Sequence, residues 1–371
     1  MKDIKIVLGL SFGDEGKGST VNYLCNQVEN PLVVRFSGGH QVGHTVVRDG
    51  KRHVFSNFGS GTLSGAPTYW SEYCTLNPMG VFKEYNALKT LGFSPYLLID
   101  GNAMVTTPFD IIRNQMVETT KRHGSVGVGF GTTIQRNEDH YRLYARDLLF
   151  PKIRDVKLKN IQHLYYKYND TAEFEKLIHD FKTACDFIVS RFNVVSDPKS
   201  LLVANDLIFE GSQGILLDMQ YGFFPNVTRA YTTSRNAFEL IRKHGVDTSN
   251  VQTYYITRAY QTRHGNGFMS NEEMDLSYIK DNLFETNIEN TFQGALRKGV
   301  LDLDLIEYAL LCDEKYNSLE HKKNLVITCL DQVPSEIPVT QYGTLNYRPY
   351  MEIGNVLGFS DDEVFGSFSD E

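Results

Sequence analysis

Short apolar runs that break off in glycine recur along this chain, and most are followed by a stretch with helical spacing. Ile4, Ile6, Val7, Leu8 and Leu10 read as a buried strand, and Ser19 to Cys25, with Thr20, Val21 and Leu24, as the helix after it. The pattern predicts further strands at Pro31 to Phe36, Tyr96 to Asp100, Leu202 to Phe209, Val251 to Ile256 and Asn324 to Leu330. Helices are predicted at Pro78 to Leu91, Pro108 to Lys121 and Leu301 to Leu311. Asp155 to Asn193 is helical and charged, with core stripes at Leu164, Tyr165 and Tyr168 and at Phe174, Leu177, Ile178 and Phe181. Val46 to Phe58 reads as a hairpin around the Asp49-Gly50 turn. Such alternation defines the α/β class: a large, mostly parallel central sheet flanked by helices. Neither a low-complexity linker nor a solenoid repeat interrupts it, which predicts one domain over residues 1–371.

Composition narrows the function more than the fold. At 41% hydrophobic and 22% charged residues the chain is ordinary for a globular protein. A formal net charge of -8 argues against broad nucleic-acid binding, yet allows a local basic pocket for a nucleotide. No apolar stretch approaches the roughly 20 residues that span a bilayer, and the first residues go straight into a strand, so a cytoplasmic protein is expected. Cys25, Cys74, Cys185, Cys312 and Cys329 are odd in number and scattered; reduced core positions are expected, not a disulfide frame or zinc site.

The candidate chemistry lies in the glycine loops after the strands. Gly9 to Ser19 reads Gly-Leu-Ser-Phe-Gly-Asp-Glu-Gly-Lys-Gly-Ser. Glycines there let backbone N–H groups converge on an anion at a helix N-terminus; Lys17 adds a positive charge, and Asp14 a carboxylate able to bind a metal or take a proton. Ser11 stands where a Walker A loop has its first glycine, so this is a different phosphate cradle. The second strand runs into Ser37-Gly38-Gly39-His40-Gln41-Val42-Gly43-His44-Thr45, and strand ends of this kind gather ligands in parallel sheets. Gly124 to Thr133 carries a glycine every second or third residue, and Glu210-Gly211-Ser212-Gln213-Gly214 is another strand-end loop, in which Gln213 reads a base edge or caps a turn.

Taken together, Gly-Asp-Glu-Gly-Lys-Gly after the first strand, Gly43-His44-Thr45, Phe-Glu-Gly-Ser-Gln-Gly-x-Leu-Leu-Asp at 209 to 218 and Pro-x-Val-Thr at 225 to 228 resemble, in order, the motifs of the adenylosuccinate synthetase family. The resemblance implies that family's α/β fold, with a homodimer whose sites lie near the subunit interface. It implies a ligase that joins L-aspartate to the 6-position of a purine nucleoside monophosphate, normally IMP, using a nucleoside triphosphate, GTP or ATP here, with Mg2+. By resemblance Asp14 is the base that removes the N1 proton and also touches the metal, and His44 is its acid partner. Gly13, Glu15, Gly16, Lys17, Gly18 and Ser19 hold the triphosphate, Thr45 lies beside its β and γ phosphates, and Gly43 offers its carbonyl to the metal. Gln41, Val42, Gln213 and Thr228 match positions that hold the acceptor.

The outer loops depart from the family. Two threonines and Gly-Arg-Gly are replaced by Ser125, Val126, Gly127, Val128 and Gly129, which leaves the acceptor phosphate without that arginine. The aspartate-binding Thr-Thr-Gly and arginine run becomes Thr291 to Lys298, with only Arg297 and Lys298 charged. The guanine-reading Lys-x-Asp is Cys329-Leu330-Asp331, keeping the carboxylate alone. These departures leave two alternatives to an IMP-type acceptor: the same chemistry on GMP or dGMP, giving a 2-amino product, or a nucleotide-binding paralogue without turnover.

Overall fold

A computed structural model describes residues 2–121, 124–165, 172–280, 282, 294–317 and 321–367. Nine strands form one sheet: β1 (Ile4–Gly9), β2 (Pro31–Arg35), β3 (Thr68–Trp70), β4 (Leu97–Asp100), β5 (Asn193–Val195), β6 (Asp206–Glu210), β7 (Val251–Arg258), β8 (Lys322–Thr328) and β9 (Val364–Gly366). Their order across the sheet is β9-β8-β7-β1-β6-β2-β3-β4-β5, and every pairing is parallel. Parallel strands need crossovers, and helices on both faces bury them, which is why β1, β2 and β6 read as apolar runs without alternation. Ile4, Ile6 and Leu8 pack on one face with Phe36, Phe209 and Tyr255, while Val7 packs on the other with Val21, Leu24 and Val33. A second cluster, around Trp70, Leu88, Phe109 and Phe181, lies under the helices Pro78–Thr90, Pro108–Lys121 and Ala172–Arg191.

β1 lies between β6 and β7, so the chain's first strand is an interior strand of the sheet. Strand order reverses beside it, the position at which parallel sheets open a crevice at their carboxyl ends. The loops leaving β1, β2, β6, β7 and β8 therefore share one edge. The hairpin is present as His44–Arg48 against Lys51–Phe55. All five cysteines are unpaired and buried.

Three expectations need correction. Leu202 to Ala204 belongs to a helix, Lys199–Ala204, and the strand starts only at Asp206; an apolar run alone cannot separate helix from strand. The predicted loop at Gly124 to Thr133 is a loop only as far as Gly129, where a helix, Phe130–Glu138, begins with Thr132 and Thr133 hydroxyls donating to the Gly129 carbonyl at 3.0 and 2.8 Å. Leu301–Asp302 is a short strand, and the helix runs Leu303–Glu314, capped by the Asp302 carboxylate. Tyr168 and Thr291 to Gln293 lie outside the described residues.

Candidate active site

The loop after β1 is held in one shape by its own backbone. Gly13, Asp14 and Gly16 all have positive φ, 97°, 57° and 92°. Glycine takes that conformation freely, whereas at Asp14 it is a strained backbone of the kind found where a side chain is aimed. Gln213, at 54°, and Cys329, at 61°, repeat the feature at the ends of β6 and β8. Neighbouring loops brace the turn. Thr262 Oγ1 donates to the Gly13 carbonyl at 3.4 Å, Arg258 Nε to the Asp14 carbonyl, and Thr328 Oγ1 to the Glu15 carbonyl at 2.9 Å.

Inside that turn Glu15 and Lys17 are buried as an ion pair, with Lys17 Nζ 3.7 Å from Glu15 Oε2. The Ser11 N–H donates to Glu15 Oε1 at 2.6 Å, while Glu15 Oε2 has no hydrogen-bond partner. Burial pushes the Glu15 carboxyl up to about 7, against the pull of Lys17 and the Ser11 amide. A helix, Lys17–Cys25, begins here on Gly16 without a side-chain cap, leaving its first N–H groups for an anion.

The loop after β2 sets His44 against this helix. A Cβ at Gly18 would stand 2.9 Å from His44 Cβ and 3.2 Å from the Thr45 carbonyl, so glycine is what permits the approach. His44 is buried, and its Nδ1 lies 2.6 Å from Glu210 Oε1 at the end of β6. Glu210 also accepts from the Ser60 N–H at 3.1 Å and from the Ser60 hydroxyl. Burial keeps His44 below the ordinary imidazole range despite Glu210. Burial would raise Glu210, but His44, Arg35 and Ser60 together bring it below the usual carboxylate range. With both groups shifted downward, a neutral imidazole here would carry its proton on Nδ1, facing the Glu210 carboxylate. His44 Nε2 is buried and unpartnered.

The residues expected to hold the acceptor are spread over several loops. Gln41, both of whose polar side-chain atoms are buried without partners, and buried Val42 precede His44. Gln213 Cα would lie 3.3 Å from a Cβ at Gly13, and its Oε1 is likewise buried and unpartnered. Thr228 is buried, its N–H bonded to the Leu217 carbonyl at 2.8 Å. Ser125 accepts from Asn114 Nδ2 at 3.0 Å and, with Val126, is half-buried. Gly124 in this loop packs against Gly265 in the loop after β7.

Arg297 is otherwise engaged: Nη1 lies 2.6 Å from Glu272 Oε1, and Nη2 donates to the carbonyls of Gly265 and Gly267 at 3.0 and 2.9 Å. Asp331 is exposed on the short helix Leu330–Gln332 beyond β8. Gly43 is exposed beside His44, and the Asp14 side chain is 25% exposed. A carboxylate and a carbonyl, with phosphates and water, are oxygen donors of the kind Mg2+ takes. Among the described residues no cluster of three or more His, Cys, Asp or Glu forms a metal cage.

Four contributors escape a reading of the sequence: Glu210, Arg258, Thr328 and His264, whose Nε2 is 3.6 Å from Asp14 Oδ2. For His264 a signal exists in the sequence, since it stands beside glycines beyond an apolar run as His44 does. Glu210 sits inside the Phe-Glu-Gly motif, but only the fold brings it to His44.

Strand-end glycine loops of a parallel α/β sheet thus bury a lysine, a carboxylate and a carboxylate-paired histidine around a helix N-terminus, an arrangement of the class that cradles phosphates. The adenylosuccinate synthetase family model matches residues 6–344, and the chain belongs to that family, whose members are ligases. Adenylosuccinate synthetase of Picrophilus torridus is 26% identical over 95% of this chain and 88% of its own length. That of Helicobacter pylori is 31% identical over 82% and 74%. Among solved structures, fully ligated adenylosuccinate synthetase of Plasmodium falciparum superposes with a TM-score of 0.71 at 19% identity, covering 93% of this chain and 82% of its own. Cyanophage S-2L succinoaminodeoxyadenylate synthetase, bound to dGMP and dATP, gives 0.64 at 16%, covering 100% and 94%. Both share the fold.

Proposed function

We propose that this ligase condenses L-aspartate with the 6-oxo carbon of an IMP-type purine nucleoside monophosphate, at the expense of a nucleoside triphosphate. The observation that carries the reading is the buried His44–Glu210 couple packed against Gly18 of the helix that begins in the Asp14 loop. A protein that merely binds nucleotide needs the cradle and has no use for a base and an acid beside it.

Asp14 takes the N1 proton of the purine, and the charge passes to O6. O6 attacks the γ-phosphoryl group and the nucleoside diphosphate leaves. The aspartate amine then adds at C6, phosphate departs with the C6–O bond electrons, and a proton is lost from nitrogen. Lys17 and the amides of residues 13–19 hold the phosphates and absorb negative charge. An incoming phosphoryl dianion favours the imidazolium form of His44, which Glu210 balances, so that Nε2–H donates to the transferring group or to O6. Asp14 and the Gly43 carbonyl would hold Mg2+, which when bound neutralises charge on the β and γ oxygens. Gln41, Val42, Ser125, Val126, Gln213 and Thr228 line the acceptor side, Arg297 the aspartate side, and Asp331 the triphosphate base. GTP or ATP as donor, a homodimer, a cytoplasmic setting and one domain over 1–371 complete the reading; among the described residues no helix is long and apolar enough to cross a membrane.

The test is phosphate release with mass detection of products, using Mg2+, L-aspartate and a matrix of IMP, dIMP, GMP and dGMP against GTP, ATP and dATP. A succinylated product with IMP supports the proposal. Product only with GMP or dGMP replaces the acceptor, and nucleotide binding without any product overturns the reading.

A further inference from the structure

His264 has no part in the reaction as written, yet it is placed as if it had. It lies in the loop after β7, its side chain only 10% exposed, with Nε2 3.6 Å from Asp14 Oδ2. That separation is longer than a hydrogen bond, as catalytic contacts often are before substrate binds. On the opposite edge of the ring Nδ1 is buried and has no hydrogen-bond partner. Slack in the loop is not the reason. Thr262 bonds to Gly13, and Arg263 donates to the carbonyls of Phe268, Asn226 and Asn266 at 2.7, 2.9 and 3.0 Å. The next residue, Gly265, packs on Gly124, so the backbone that carries the imidazole adjoins the loop carrying Ser125 and Val126.

A buried ring nitrogen in a braced loop is costly to leave unpaired, and a ring with one edge already on the base has its other edge available for whatever the base acts on. We propose that His264 is a specificity-determining residue of the acceptor pocket: Nε2 positions Asp14, and Nδ1 gives one hydrogen bond to a polar atom of the purine nucleotide. The inference rests on the reading of Asp14 as the base that meets the acceptor.

The two edges can be separated by substitution. In the intact protein His264→Gln places an amide near Nε2, His264→Asn places one near Nδ1, and His264→Leu supplies neither. With triphosphate and aspartate saturating, H264N is expected to keep the acceptor KM and lose roughly tenfold in kcat. H264Q is expected to keep kcat and raise the acceptor KM roughly fivefold to tenfold, and H264L to show both losses. Calorimetry should find triphosphate affinity unchanged in all three and acceptor affinity weakened in H264Q and H264L, a readout independent of turnover. Identical behaviour of all three variants, or loss of triphosphate binding along with activity, overturns the inference and makes His264 a packing residue. Absence of product from the unmodified protein with every acceptor sinks the ligase reading instead, and this inference with it.

Discussion

The cradle and the rim of this site are built from opposite materials. In the cradle Glu15, Lys17, His44 and Glu210 are buried, and a Cβ at Gly9 would lie only 2.0 Å from Glu15 Oε2, so nothing there moves independently. Around the rim Ser125, Val126 and Arg297 are half-buried and Asp331 is exposed, and Arg297 pairs with Glu272, itself partly exposed. Charges out of water interact strongly and tolerate little change, while charges in water are screened and exchange partners cheaply. The contrast fits much of the phosphate loop, which keeps the family motif and is interior, and the half-buried Ser125, Val126 and Arg297, which do not keep it; buried Cys329 and exposed Asp331 run the other way.

The sharpest way to break the comparison is Asp14→Asn, which keeps the shape but cannot accept the N1 proton. It should lower kcat about a thousandfold while calorimetry finds triphosphate affinity little changed; retained turnover would remove Asp14 from the chemistry. Next comes Glu210→Gln, which deprives His44 of its counter-charge and should cost about a hundredfold in kcat with the acceptor KM nearly constant. A third test concerns stability. Glu15 is raised from 4.5 to about 7 in the folded protein, so between those values the folded state keeps a proton that the unfolded chain has released. Unfolding free energy should therefore fall as pH rises through that window, by about 1–3 kcal/mol, and level off above it. Glu15→Gln should abolish that slope in urea titrations of the nucleotide-free protein at pH 5 and pH 7.5. On the rim, Glu272→Gln releases Arg297 and should change the aspartate KM only severalfold, downward if Arg297 serves the substrate carboxylates. A hundredfold change there would erase the distinction between the two regions.

How much of this was legible in the chain follows the same division. Parallel strands buried on both faces announce themselves as apolar runs, so β1, β2, β6, β7 and β8 were readable, while Lys199–Ala204 was misread because Leu201, Leu202 and Val203 look alike in either state. Asp14, Lys17 and His44 were visible because glycine loops mark themselves. Glu210 was not, because its meeting with His44 spans 166 positions and is set by β6 lying between β1 and β2. Arg297 had a plausible employer in sequence and a different partner in space, since no spacing rule foretells a contact with Glu272.

Placing the N-terminal strand between β6 and β7 also orders events in time. During synthesis β1 leaves the ribosome before either of its neighbours, with both its hydrogen-bonding edges open. Its second neighbour, Val251–Arg258, follows only after some tens of seconds at roughly 5–20 residues per second. Until Asp206–Glu210 emerges this apolar strand has neither neighbour, and until Val251–Arg258 emerges one edge stays open, which exposes the nascent chain to mispairing. The phosphate cradle, made early, gains its bracing contacts from Arg258, Thr262 and Thr328 only when those residues have been made.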